Sequence, residues 1–193
     1  MLDNLKKYNI ILASKSPRRQ ELMKGIGLDF SVLTKDVDET YPLHLSVFDV
    51  APYLSVKKAK AFEEAKLPDN YMVITADTVV VVEGKILGKP KDENEAREML
   101  VTISGKKHSV ITGVTVLTKD KVKTFSVASK VMFEKLDNEE IDFYVSNYKP
   151  FDKAGSYGIQ EWIGYIGVAC VEGSYFNVMG LPTQKLYKVL KTF

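Results

Sequence analysis

Arg18 and Arg19 follow Ser14, Ser16 and Pro17 where an apolar, branched run over residues 8–13 gives way to a helix-like pattern. Ser16 is the expected N-cap and Pro17 the first helical residue, a position whose N–H has no partner to lose. Both guanidinium groups then stand in the first helical turn, where the helix dipole disfavours a cation by roughly 0.3–1 kcal/mol. Free backbone N–H groups, two hydroxyls and two guanidiniums at one strand-turn-helix junction make a polyanion site, and phosphate suits it. The plainer reading of the same residues is a capped helix with two solvated arginines.

Asp77 is the least comfortable acid in the chain. It falls between two runs rich in Val and Ile over residues 71–82, read as two strands joined near Asp77 and ended by a hairpin turn at Glu83 and Gly84. A carboxylate at the edge of such a sheet costs several kcal/mol unless paired, hydrogen-bonded or bound to a metal. Glu39 belongs to an acidic loop, residues 34–40, that is otherwise a solvated turn. Glu39 and Asp77 could hold a divalent cation, magnesium or manganese, which takes one or two carboxylates with substrate oxygens and waters. Lys58, Lys89 and Lys153 could add positive charge around it. Asp77 could then orient or deprotonate a water while the cationic side chains stabilise a leaving group. This is an inventory for hydrolysing a phosphoanhydride.

Other chemistries find less support. The two histidines, His44 and His108, are far apart and lack metal-ligand spacing. The single cysteine, Cys170, lies in an apolar run and reads as a buried structural thiol. No GxxxxGK[ST] phosphate loop occurs.

The elements that must carry these residues form a mixed α/β pattern. A first helix from Pro17 stops near residues 25–29, and a short strand covers residues 30–33. A second helix spans about residues 49–66, carrying Lys57, Lys58 and Lys60, one of which could reach inward. After the Asp77 region, a capping-box-like start at residues 92–95 opens a third helix. Strands follow over residues 109–117 and 122–133, then a short capped helix over residues 138–146. Residues 149–167 and 173–182, rich in glycine, aromatics and proline, read as loops. Residues 183–190 close with an amphipathic helix.

With 193 residues, 45% hydrophobic and 27% charged, the chain fits one sizeable globular domain, residues 1–193. A net charge of +2 excludes a general nucleic-acid binder, so any phosphate affinity is local. Residues 1–7 lack an apolar leader and no run approaches a membrane span, so a cytoplasmic protein is expected, with no membrane partner.

Several motifs fall in order from about residue 9 to 190. They are Leu-Ala-Ser-Lys-Ser-Pro-Arg-Arg-Gln-Glu-Leu at 12–22, Val-Asp-Glu-Thr at 37–40, Thr-Ala-Asp-Thr-Val at 75–79 and Gly-Lys-Pro at 88–90. Lys-Ala-Lys at 58–60, Ser-Gly at 104–105, Asp-Lys-Ala-Gly-Ser-Tyr-Gly-Ile-Gln at 152–160 and Gly-Ser-Tyr-Phe-Asn-Val-Met-Gly-Leu-Pro at 173–182 complete the set. Together they resemble the Maf family of nucleoside triphosphate pyrophosphatases. The resemblance implies a Maf/inosine-triphosphatase-like α/β fold, an elongated mixed sheet with two lobes flanking a central cleft, commonly as a homodimer. It implies metal-dependent hydrolysis at the α–β linkage to a monophosphate and pyrophosphate. Carried over by motif, Ser14, Ser16, Arg18, Arg19 and Lys153 bind substrate. Asp77 is the acid-base residue, Glu39 its metal-binding companion, and Lys58 and Lys89 electrostatic stabilisers. Thr78, Gln160 and Arg18 match the specificity positions of the dTTP/UTP branch, and a Gln amide can pair with the O4 and N3–H edge of thymine or uracil. Glu161 and Trp162 follow Gln160 where many relatives have a glycine-rich continuation, which implies a different wall for the base pocket. The alternatives are the same chemistry on 7-methyl-GTP or another modified nucleotide, and a non-catalytic nucleotide-binding regulator of cell division.

Overall fold

In the computed structural model, which describes residues 2–63 and 65–193, a mixed α/β chain forms one seven-stranded sheet and seven α-helices among the described residues. The strands are β1 (Asn9–Leu12), β2 (Ser31–Val32), β3 (Tyr71–Val82), β4 (Lys85–Leu87), β5 (Lys107–Thr118), β6 (Val122–Phe133) and β7 (Val168–Glu172). Their order is β2-β1-β3-β5-β6-β7, with β4 paired to β3. β1 runs parallel to β2 and β3, whereas β3–β4 and β6–β7 are antiparallel. The helices are α1 (Pro17–Gly25), α2 (Val50–Lys60), α3 (Glu93–Ile103), α4 (Asn138–Tyr148), α5 (Trp162–Gly167), α6 (Tyr175–Met179) and α7 (Thr183–Leu190).

The chain divides into two compact units, the first Met1–Asp77, Thr112–Val127 and Gly180–Phe193, the second Thr78–Ile111 and Ala128–Met179. In the first, Ile11, Val73 and Leu117 of the strands pack with Ala59 of α2 and the following Phe62. α2 lies directly on β5: a Cβ at Gly113 would stand 2.2 Å from the Pro52 nitrogen. Ser55 Oγ and Thr115 Oγ1, 2.8 Å apart, satisfy each other in that buried contact. In the second unit, α3 buries Ala96, Met99, Leu100 and Ile103, one stripe at helical spacing. Its N-cap Asp92 accepts from the Glu95 N–H at 2.9 Å, while Glu95 Oε2 accepts from Lys91 N–H rather than from the cap residue. α4 has the full reciprocal box between Asp137 and Glu140.

Several sequence expectations change. β3 passes through Asp77 as one strand of 12 residues rather than two joined there. α2 stops at Lys60 instead of near residue 66, and Glu64, inside the expected span, lies outside the described residues. α5 and α6 occupy segments expected to be loops. Glycine in α5 reflects close packing, because a Cβ at Gly164 would stand 1.9 Å from the Ile159 carbonyl oxygen. Cys170 is exposed, because β7 is an edge strand whose residues are half-buried at most. The Glu83 and Gly84 turn is as expected, with φ of 50° and 77° at the two positions of a left-handed hairpin turn.

Candidate active site

The first unit assembles its polar groups around the end of β1 and the middle of β3. β1 delivers a buried Ser14, whose Oγ accepts from the Ser16 N–H at 3.3 Å and from Arg19 Nη1 at 3.4 Å. Ser16 occupies the N-cap position with Pro17 next, but its side chain makes no cap bond. The hydroxyl serving this turn is therefore that of Ser14. Arg19 reaches two other segments: Nε donates to the Gly180 carbonyl and Nη1 to the Ala76 carbonyl, each at 2.9 Å. Burial lowers its pKa from the ordinary guanidinium value, Asp77 and Glu39 oppose that shift, and the neighbouring Arg18 adds to it. A guanidinium remains charged under these conditions. Arg19 is thus bonded to two carbonyls and lies in the field of two carboxylates, which offset its share of the dipole penalty.

The central feature is an ammonium held between two acids. Lys58, reaching from α2, places Nζ 2.5 Å from Asp77 Oδ1 and 2.7 Å from Glu39 Oε1. Side-chain exposure falls from 46% at Glu39 to 17% at Lys58 and 10% at Asp77, so the site deepens toward β3. Lys57, the next residue round the helix, serves a different acid. Its Nζ lies 3.1 Å from Asp38 Oδ2 and donates to the Thr40 carbonyl at 3.0 Å. Hydrogen bonds from Thr40 and Lys57 hold the Asp38 carboxyl down at about 2. The acidic loop is thereby sorted, with Asp38 and Lys57 forming an exposed brace and Glu39 turned toward Lys58 and Asp77.

The second unit carries the remaining candidates. Lys89 is exposed and adjoins Gly88, whose carbonyl accepts from Gly155 N–H at 2.9 Å, so residues 88–90 adjoin the turn after Lys153. Gly155 has φ of 68°, and a Cβ there would stand 2.9 Å from Val80 Cγ2. Thr78 is half-buried in β3. The Lys153 side chain is 8% exposed, with Nζ 2.7 Å from Asp152 Oδ1 and 3.1 Å from Glu161 Oε1. Gln160 is half-buried, and its Oε1 is fully covered without a hydrogen-bond partner among the described residues.

Residues 9–193 match the family of Maf-like proteins. The chain belongs to that family. A dTTP/UTP pyrophosphatase of Phocaeicola vulgatus is 53% identical over 192 residues, covering 99% of both chains. The dTTP/UTP pyrophosphatase of Bacteroides thetaiotaomicron is 54% identical with the same coverage. The Staphylococcus aureus Ham1 protein structure overlaps 65% of this chain and 71% of its own, with TM-score 0.47 and 18% identity. Within the Maf-like chain, Ser14 and Arg19 meet directly, as do Glu39, Lys58 and Asp77. Tyr144 and Glu161, which the sequence did not single out for the site, contact each other and, respectively, Gly158 and Lys153. Tyr144 resembles any apolar-face aromatic of an amphipathic helix, and Glu161 stood out only as a departure from the family pattern.

Proposed function

We propose that this Maf-family protein is a dTTP/UTP pyrophosphatase, adding water at the α–β phosphoanhydride to release a nucleoside monophosphate and pyrophosphate. The observation that carries the reading is the Glu39–Lys58–Asp77 cluster beside Arg19. Simple phosphate binding gains nothing from two acids drawn toward a buried strand. Hydrolysis needs a base and a dense positive field close together. The relatives named dTTP/UTP pyrophosphatase match essentially the full length, which supports the same substrate class here.

Asp77 takes the proton from the attacking water, its carboxylate oriented by the short ion pair to Lys58. Ser14, Ser16, Arg18 and Arg19 hold phosphate oxygens, and Lys58, Lys89 and Lys153 stabilise charge that develops on the departing pyrophosphate. Gln160 pairs with the pyrimidine edge, and its buried, unpartnered Oε1 is ready to accept from N3–H. Thr78 lies next to Asp77 in β3 and assists base selection.

The donor set fits a hard divalent cation. Glu39 and Asp77 already bring oxygens from separate elements to one positive group, the Lys58 ammonium. No cluster of three or more His, Cys, Asp or Glu occurs among the described residues, and magnesium or manganese needs none when substrate oxygens and waters complete its shell. When bound by Glu39 and Asp77, such an ion supplies charge neutralisation and acidifies water.

We further infer a homodimer in the cytoplasm. Tyr165, 83% exposed, with Ile166, Tyr175 and Phe176, offers apolar side chains of α5 and α6 that a second copy could cover. No described helix is long and apolar enough to cross a membrane.

The test is pyrophosphate release from a panel of nucleoside triphosphates, 7-methyl-GTP included, with magnesium or manganese. Preferential release from dTTP and UTP is expected. Absence of turnover by folded protein overturns the enzymatic reading, and orthophosphate in place of pyrophosphate moves the scissile bond.

A further inference from the structure

We infer that Glu161 is a positioning residue whose single carboxylate sets both Lys153 and the turn that carries Gln160. The inference deepens the pyrophosphatase reading and rests on it for the roles of those two residues.

Oε1 of Glu161 lies 3.1 Å from Lys153 Nζ. Its other oxygen, Oε2, accepts the Tyr144 hydroxyl proton, and that hydroxyl oxygen accepts from Gly158 N–H at 3.0 Å. Tyr144 is completely buried on α4, so the hydroxyl is a fixed post. The Glu161 N–H donates to the Gly158 carbonyl at 3.0 Å, closing a turn with Gln160 inside it. A Cβ at Gly158 would stand 2.8 Å from Glu161 Cδ and 3.0 Å from Gln160 Nε2. The carboxylate and the amide are therefore packed on the same glycine, and a shift of one displaces the other.

The energetics favour Glu161 over Asp152 as the group that fixes Lys153. Both acids contact Nζ, but the Asp152 side chain is 54% exposed and that of Glu161 21%. An exposed carboxylate is screened and mobile, whereas a covered one interacts strongly and costs conformational freedom only once. A buried ammonium deprived of its covered partner turns toward solvent. Glu161 thus links a phosphate-directed cation to a base-directed amide through two oxygens of one group.

The two arms separate by mutation. Glu161→Gln retains the shape but places an NH2 against one of two donors, Lys153 or the Tyr144 hydroxyl. Tyr144→Phe removes the hydroxyl and leaves the Lys153 contact in place. Binding is measured by calorimetry with inorganic tripolyphosphate for the cation, and with dTMP against dCMP for the amide. Turnover with dTTP against dCTP gives KM and kcat separately. For Glu161→Gln, tripolyphosphate affinity and dTMP preference are each expected to fall about tenfold, the loss of one charge-assisted hydrogen bond. Tyr144→Phe is expected to lose dTMP preference alone, with tripolyphosphate affinity within about twofold of the parent. In turnover, Glu161→Gln should raise KM for dTTP while kcat changes less. Loss of kcat with KM and both affinities unchanged overturns the inference. So does Tyr144→Phe weakening tripolyphosphate as much as Glu161→Gln does. If the parent protein releases no pyrophosphate, the pyrophosphatase reading fails, while the two binding experiments still decide whether Glu161 governs both arms.

Discussion

The Lys58 ammonium lies 2.5 Å from Asp77 Oδ1, on a strand 19 residues further along the chain. This pair explains how a carboxylate persists in an otherwise apolar strand, and it fixes one face of the carboxylate for chemistry. Asp77→Asn keeps the shape and removes the proposed base. Turnover is expected to fall by about 10²- to 10⁴-fold, the usual contribution of a positioned general base. Triphosphate binding should persist, because Arg18, Arg19 and Lys58 remain. Steady-state rates beside calorimetric titration check both halves, and unaffected turnover assigns the base elsewhere.

Much of this arrangement was readable in the sequence where local physics decides. Pro17 after Ser16 marked the start of α1, the turn at residues 118–121 marked the β5–β6 boundary, and Thr183–Leu190 was an amphipathic helix as expected. The failures are non-local. Asp77 seemed to break a strand because its neutralising partner sits on another element. α5 was hidden by Gly164 and Gly167, which make room for the Ile159 carbonyl and the Phe133 ring rather than marking turns. Cys170 looked buried because an apolar run does not reveal that its strand lies at a sheet edge. Local physics does not tell Glu39 from Asp38; the family motif singled out Glu39, and in the structure Lys57 pairs with Asp38 and Lys58 with Glu39.

The role proposed for Gln160 bears on specificity rather than rate. Its covered Oε1 has no partner among the described residues, and a ligand N–H would supply one. Gln160→Ala is expected to reduce the preference for dTTP over dCTP by about tenfold or more, with a smaller change in kcat for dTTP. Specificity constants measured for the four common bases check this. A uniform loss with every base removes Gln160 from the specificity role.

His108 makes a separate prediction about pH. Its ring is buried against Phe133 and Tyr157, Nε2 lies 2.7 Å from the Tyr157 hydroxyl, and burial pushes its pKa from 6.5 down to about 4. The unfolded chain therefore takes up a proton near pH 6.5, while the folded chain resists until about pH 4. Proton binding favours the unfolded state across that window. Stability should fall as pH drops through it, by up to about 3 kcal/mol from this group. Urea unfolding from pH 7 to 4.5, compared between the parent and His108→Gln, isolates the contribution from carboxylates titrating nearby. The stability difference between the two proteins should shrink with acidification, and a constant difference shows that His108 does not titrate on folding.

Gly113 tests whether the α2–β5 contact positions the proposed catalytic cluster. Its missing Cβ would meet only backbone, 2.2 Å from Pro52 N and 2.4 Å from Ala51 C, so no side-chain rotation can relieve the clash. Gly113→Ala must push the start of α2 off the sheet, costing at least about 2 kcal/mol. The same helix carries Lys58 to Asp77, and a displacement near 1 Å at a reacting centre lowers rates by up to about 10²-fold. Gly25→Ala is the control, since nothing lies within 4 Å of its added methyl and its φ is not positive. Denaturation midpoints and turnover, both measured where each variant is folded, should drop together for Gly113→Ala and stay near the parent for Gly25→Ala. Lost stability with an unchanged rate per folded molecule would mean that Lys58 is held by its two carboxylates and not by the seating of its helix.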